Sequence, residues 1–109
     1  MHQVDSFAHD PPVFRVGVVP LPGFPLMSYA CTVEPLRAAN LLSRRELYSI
    51  VHFADEATSR SSGLSEVART HAIGAIVDLD LLLVVAGGDP LGFDDPAVVS
   101  WLQKLATHV

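Results

Sequence analysis

Short apolar runs alternate along this chain with longer stretches of helical period, and clusters of turn-forming residues separate them. Residues 14–19 read Phe-Arg-Val-Gly-Val-Val, of strand length and β-branched character. Pro20 ends that run, and Pro-Leu-Pro-Gly-Phe-Pro (20–25) makes a stiff loop with one glycine free to take positive φ. From residue 26 to 42 the apolar positions Leu26, Ala30, Val33, Ala38, Leu41 and Leu42 recur at three- and four-residue spacing, which predicts a helix. Pro35 falls inside it, so a kink, or two helices meeting near Glu34, is expected.

Residues 48–54 predict a second strand, closed by the polar stretch 55–63. Residues 64–68 suit a short extra strand, and 69–77 fit helix or loop equally. Five consecutive aliphatics, 81–85, leave no polar face for water. They predict a central parallel strand covered on both sides. Asp95 followed by Pro96 is a helix start, and Val98, Trp101, Leu102 and Leu105 form its inward stripe, with Ser100, Gln103, Lys104 and His108 outward. Strands alternating with helices argue for an α/β fold built on a doubly wound parallel sheet.

Composition sharpens this picture in a few places. The chain has 109 residues, room for one domain, and half of them are hydrophobic. Its net charge is −5, so it lacks the basic face that reads nucleic acid, and Arg44-Arg45 fits the complement of a helix dipole. Cys31 is the sole cysteine, which excludes an intramolecular disulfide. In the middle of a predicted helix it reads as a small packing residue rather than a nucleophile. Residues 1–12 have little to bury and are expected to form a flexible tail, with no signal peptide. No apolar run approaches membrane-spanning length, so a soluble, cytoplasmic protein is expected.

Candidate chemistry gathers where the strands end. Gly87 and Gly88, with Asp89 after them, lie at the carboxyl end of the predicted buried strand, where open α/β sheets bind ligands. Glycines there let backbone N–H groups approach an anion, although a tight turn needs them equally. Glu34 sits in an apolar helical stretch, either to hold a cationic or hydrogen-bonding ligand or simply to face water. Ser28 lies early in the same helix. The five histidines show no paired metal-ligand spacing, and no metal or cofactor is expected.

The stretches Val-Pro-Leu-Pro-Gly-Phe-Pro-Leu (19–26), Glu-Pro-Leu-Arg-Ala-Ala-Asn (34–40), Ser-Ser-Gly-Leu (61–64) and Leu-Leu-Leu-Val-Val-Ala-Gly-Gly (81–88) stand in one order. In that order the chain resembles, over residues 14–109, the N-terminal sensor domain of AraC-type transcription regulators whose sensor is PfpI-like, within the class I glutamine-amidotransferase-like superfamily. The resemblance implies a flavodoxin-like fold of which residues 13–109 are the N-terminal half, and a helix-turn-helix DNA-binding domain outside this chain. It also implies a small-molecule effector, an amino acid or amine-like metabolite, bound near Ser28, Glu34, Gly87, Gly88 and Asp89, and a homodimer. Enzymes of the superfamily carry a nucleophilic cysteine after the element matching 97–108, beyond Val109, and an acidic residue where this chain has Ser28. The resemblance therefore implies binding without catalysis. The alternative is a fragment of a PfpI-like cysteine hydrolase or hydratase.

Overall fold

A computed structural model describes residues 12–87 and 95–109. In chain order the elements are β1 (Phe14–Pro20), α1 (Leu26–Ser43), β2 (Tyr48–Ala54), β3 (Thr58–Arg60), β4 (Glu66–Ala68), β5 (His71–Ala72), β6 (Leu81–Val85) and α2 (Pro96–Ala106). Four strands form one sheet in the order β5-β2-β1-β6, and every pairing in it is parallel. Strands β3 and β4 make a separate antiparallel hairpin. This is the expected mixed α/β architecture with a parallel sheet, and β1 and β6 are the expected parallel neighbours, with Val18 opposite Leu83.

Side chains alternate across the pleat, so each strand feeds two cores. On one face Val19, Leu21, Val51, Phe53 and Leu79 pack against Val98, Trp101 and Leu105 of α2. On the other, Val16, Val18, Phe24 and Val85 pack with Val33 of α1, and Tyr29, Leu36 and Ile50 lie around them. Gly17 points toward the α2 face, where an added Cβ would come within 2.5 Å of Leu79 Cδ1. Only glycine leaves Leu79 and Phe53 their places there.

The caps follow the sequence. Asp95 accepts a hydrogen bond from Val98 N at 3.2 Å, with Pro96 in the first turn. Val98, Trp101 and Leu105 of the expected stripe are buried, and Leu102 packs at its margin. Helix α1 ends at Arg44 in the left-handed region (φ 58). Asn40 then ties its last turn to β2: Oδ1 accepts from Leu47 N and Tyr48 N, both at 2.9 Å, and Nδ2 donates to Tyr48 O at 2.8 Å.

Several expectations need correction. Helix α1 runs through Pro35 as one element rather than as two helices meeting near Glu34. The proline removes a donor to the carbonyl four residues back, on Cys31, which is exposed, so water can take its place. Cys31 is therefore not a packing residue. Leu41 and Leu42 of the expected stripe are exposed too, Leu42 at 82%. Residues 69–77 hold neither a helix nor a plain loop, because β5 adds two residues to the sheet edge. The polar stretch 55–63 contains β3, and the expected extra strand is β4 over Glu66–Ala68.

The largest correction concerns β6. It is an edge strand among the described residues rather than a central one, with Leu81 38% and Val84 47% exposed. The aliphatic run marks a strand suited to burial, but nothing described here pairs with its outer edge. The more central strand is β1, between β2 and β6 and buried from Val16 through Pro20.

Candidate functional site

The carboxyl ends of β1, β2 and β6 converge on the loop that enters α1. Leu21 N donates to Val85 O at 3.0 Å, which joins the ends of β1 and β6. Gly23, at φ 88, donates its N–H to Arg60 O at 2.9 Å, and Ser62 N donates to Phe24 O at 2.9 Å. The β3–β4 hairpin thus clasps the 20–25 loop from one side. From the other side Gly87 lies so close to Pro25 that a Cβ would stand 2.5 Å from its Cγ. A glycine is required there by contact, not by φ.

Of the sequence-selected residues, Ser28 is exposed in the first turn of α1, and its carbonyl accepts from Thr32 Oγ1 at 2.8 Å. Glu34 is exposed and ion-paired with Arg37 Nε at 2.6 Å, one turn along the helix. That bond pushes the Arg37 guanidinium pKa upward. Gly87 is exposed at the end of β6, against the α1 entry loop. Gly88 and Asp89 lie outside the described residues.

Sequence reasoning missed a polar pair on this side of the sheet. Tyr29, in the first turn of α1, meets His52 of β2 with Oη 2.8 Å from Nε2. The rings also touch, in a row Phe24–Tyr29–His52 with 5.7 Å between successive centroids. Burial pushes the His52 imidazole pKa below its ordinary value. Tyr29 is raised, first by burial and then by the Glu34 carboxylate. Both groups are therefore neutral near pH 7. The available signal was the alternation in 48–54, where His52 continues the α1-facing positions Tyr48 and Ile50 with a polar side chain.

An open groove of about 490 Å³ lies elsewhere, lined by Ile76, Ser100, Gln103, Lys104, Thr107 and His108. Its His108 Nδ1 is 2.9 Å from Asp78 Oδ1, near the amino end of β6. It shares no residue with the strand-end cluster. Among the described residues no group of three or more His, Cys, Asp or Glu is placed to hold a metal, and no helix is long and apolar enough to cross a membrane.

Comparison with known proteins places this geometry. No family model matches the chain. It is 42% identical over 86 residues to the HTH-type transcriptional regulator CdhR of Pseudomonas aeruginosa, which takes in 78% of this chain and 25% of that protein. It is 42% identical over 98 residues to the HTH-type transcriptional regulator GlxA of Rhizobium meliloti, with 88% and 28% covered. Among solved structures, an AraC family transcriptional regulator from Pseudomonas putida superposes with a TM-score of 0.71 at 28% identity, covering 87% of this chain and 59% of that one. The chain is related to AraC-type transcriptional regulators. The likeness extends in fold alone to a DJ-1 superfamily protein of Salmonella typhimurium, with a TM-score of 0.56 at 19% identity, covering 87% of this chain and 51% of that one. The chain spans about a quarter of the length of the curated regulators it matches.

Proposed function

We propose that residues 13–109 are the N-terminal part of a non-catalytic, effector-sensing domain in a transcription regulator. The effector is a small nitrogenous metabolite, an amino acid or an amine, bound at the strand ends near Ser28, Glu34, Gly87, Gly88 and Asp89. Its binding changes the action of a helix-turn-helix domain outside this chain, and the regulator works as a homodimer in the cytoplasm. The observation that carries this reading is the 42% identity to two HTH-type regulators over most of the chain. The contact of Gly87 with Pro25 supports the location, because it brings the end of β6 against the entry to α1.

The test is reporter transcription driven by the complete regulator, titrated with a panel of amino acids and quaternary amines. At least one compound is expected to shift transcription. Gly88→Val is expected to weaken that response while circular dichroism shows the fold retained. Gly87→Val is expected to weaken it further, since its side chain drives Pro25 away. Titration curves unchanged by both substitutions overturn the location, and a panel without any effect overturns the sensor reading.

A further inference from the structure

Helix α1 is apolar on the side that leaves the sheet as well as on the side that meets it. Val33 is its buried residue, with Tyr29 and Leu36 packed beside it. On the outer side Met27 is 77% exposed, Leu41 66% and Leu42 82%, while Cys31 is exposed and Ala38 partly so. At about 100° per residue, Met27, Cys31, Ala38 and Leu42 fall within about 60° of one another, and Leu41 lies at their margin. A surface helix ordinarily turns polar residues outward, and one that is apolar all round is built to be covered. Among the described residues nothing covers this stripe.

Extending the sheet would not cover it either. A longer doubly wound sheet adds strands at its edges and helices beside α1, and the outer side of a helix stays outside those layers. The pattern instead suits a second copy of the same helix. It reads alike in both directions about a point between Glu34 and Pro35: Met27 and Leu42 stand equally far from that point, as do Cys31 and Ala38. A two-fold axis there sets the helices antiparallel. Long side chains then meet at each end, and small ones near the centre let the backbones approach. Charge agrees with this. The Glu34–Arg37 ion pair flanks the stripe near the axis. The two-fold brings each Glu34 beside Arg37 of the other copy, which makes a neutral cluster of four charges rather than a repulsive one.

We propose that the outer side of α1 is a homodimer surface, on which α1 of a second copy docks antiparallel through Met27, Cys31, Ala38, Leu41 and Leu42. The proposal rests on the homodimer named above and gives it an interface, apart from the β6 edge.

Thiol trapping in the full chain reads the contact directly, because Cys31 is its sole cysteine. The axis sets Ala38 of one copy against Cys31 of the other. Ala38→Cys should therefore yield a covalent dimer on mild oxidation with diamide, resolved on a non-reducing gel. The parent and the double variant Ala38→Cys, Cys31→Ser should yield far less, since neither sets two thiols opposite each other. Association through the β6 edge does not mimic this result, which depends on which thiols meet. In the complete regulator, sedimentation equilibrium should show a dimer. Met27→Glu with Leu42→Glu should weaken it about tenfold or more by bringing carboxylates into an apolar contact, with the fold retained by circular dichroism. If that pair of substitutions does not fold, Leu42→Lys alone decides. Trapping no greater than in the double-variant control, or dimerisation unchanged in a folded α1 variant, overturns the proposal. A regulator that is dimeric but indifferent to these substitutions keeps the homodimer and removes only this interface. A monomeric regulator removes both, and its reporter response to effectors still tests the sensor reading.

Discussion

The two faces of the sheet are built differently. Toward α2 the sheet meets a continuous apolar surface. Trp101 stands edge-on to Phe53 with centroids 5.1 Å apart, and its Nε1–H donates to Ala75 O at 2.8 Å. Toward α1 the helix buries only Val33, leaves Met27 77% exposed, and sets the Tyr29–His52 pair among the apolar residues. The α2 face closes around interlocking side chains, whereas the α1 face carries a half-buried polar pair. The contrast separates a face sealed by apolar packing from one that holds a polar pair within it. The same strands serve both, since Val16, Val18 and Val19 of β1 divide between them.

Removing the anchor of the closed face should have the largest effect. Trp101→Ala takes away a buried indole and leaves Ala75 O without its donor, at a cost of about 3–5 kcal/mol. A small domain holds roughly 5–15 kcal/mol in total, so this variant should lose most of its cooperative urea transition, followed by far-UV circular dichroism. A fully retained transition would show that the α2 face is not the stabilising one.

The exposed edge comes next. Strand β6 offers Leu81, Val84 and an outer edge that no described strand covers. Such an edge pairs with other chains, and lysine on it opposes pairing. The isolated chain should therefore self-associate in sedimentation velocity, and the double variant Leu81→Lys, Val84→Lys should shift it toward monomer. A monodisperse parent with a sharp two-state transition would show that these 109 residues need no partner at β6.

Sequence and structure agree most closely where local rules act alone. Strand β2 has its expected bounds because the Asn40 clamp and the polar Asp55 fix both ends. Helix α2 follows from Asp95, Pro96 and an unbroken stripe. They part where burial depends on what packs alongside. The 81–85 run shows a strand suited to cover but not which cover it has, and Leu41 and Leu42 keep helical spacing with no surface to meet. For the candidate site, the strand-end rule located Gly87 and the α1 entry. The alternation in β2 marks His52 as a polar residue on the α1-facing side, but its partner Tyr29 lies 23 residues away and only the α1–β2 packing joins them.

The open face should also respond to acid. Burial lowers the folded-state pKa of His52 below its unfolded value of about 6.5. The unfolded chain then binds the proton more readily, so the stability that neutral His52 preserves is intact above about pH 6.5. It declines as the pH falls through that value toward the lower folded pKa. Urea midpoints at pH 7.5 and 5.5 should show a decline in the parent that is smaller in His52→Gln. An equal decline in both would assign the acid sensitivity to other groups.

The smallest expected effect lies on the outer side of α1. Glu34 and Arg37 are both more than half exposed, at 55% and 58%, and meet one turn apart. Water screens such a pair, and holding two long side chains together costs entropy, so exposed helix pairs contribute little to stability. Glu34→Gln should therefore leave the urea midpoint within measurement error. The carboxylate also raises the Tyr29 pKa, though after the larger effect of burial, so its removal should move that phenol's titration slightly downward. Spectrophotometric titration of the tyrosines, with Tyr29→Phe to identify the signal, would detect it. If Glu34 serves the effector instead, its loss should appear in the reporter response of the complete regulator while stability stays constant. A variant silent in both measurements would leave Glu34 as a solvated helix residue and confine the binding chemistry to the strand ends.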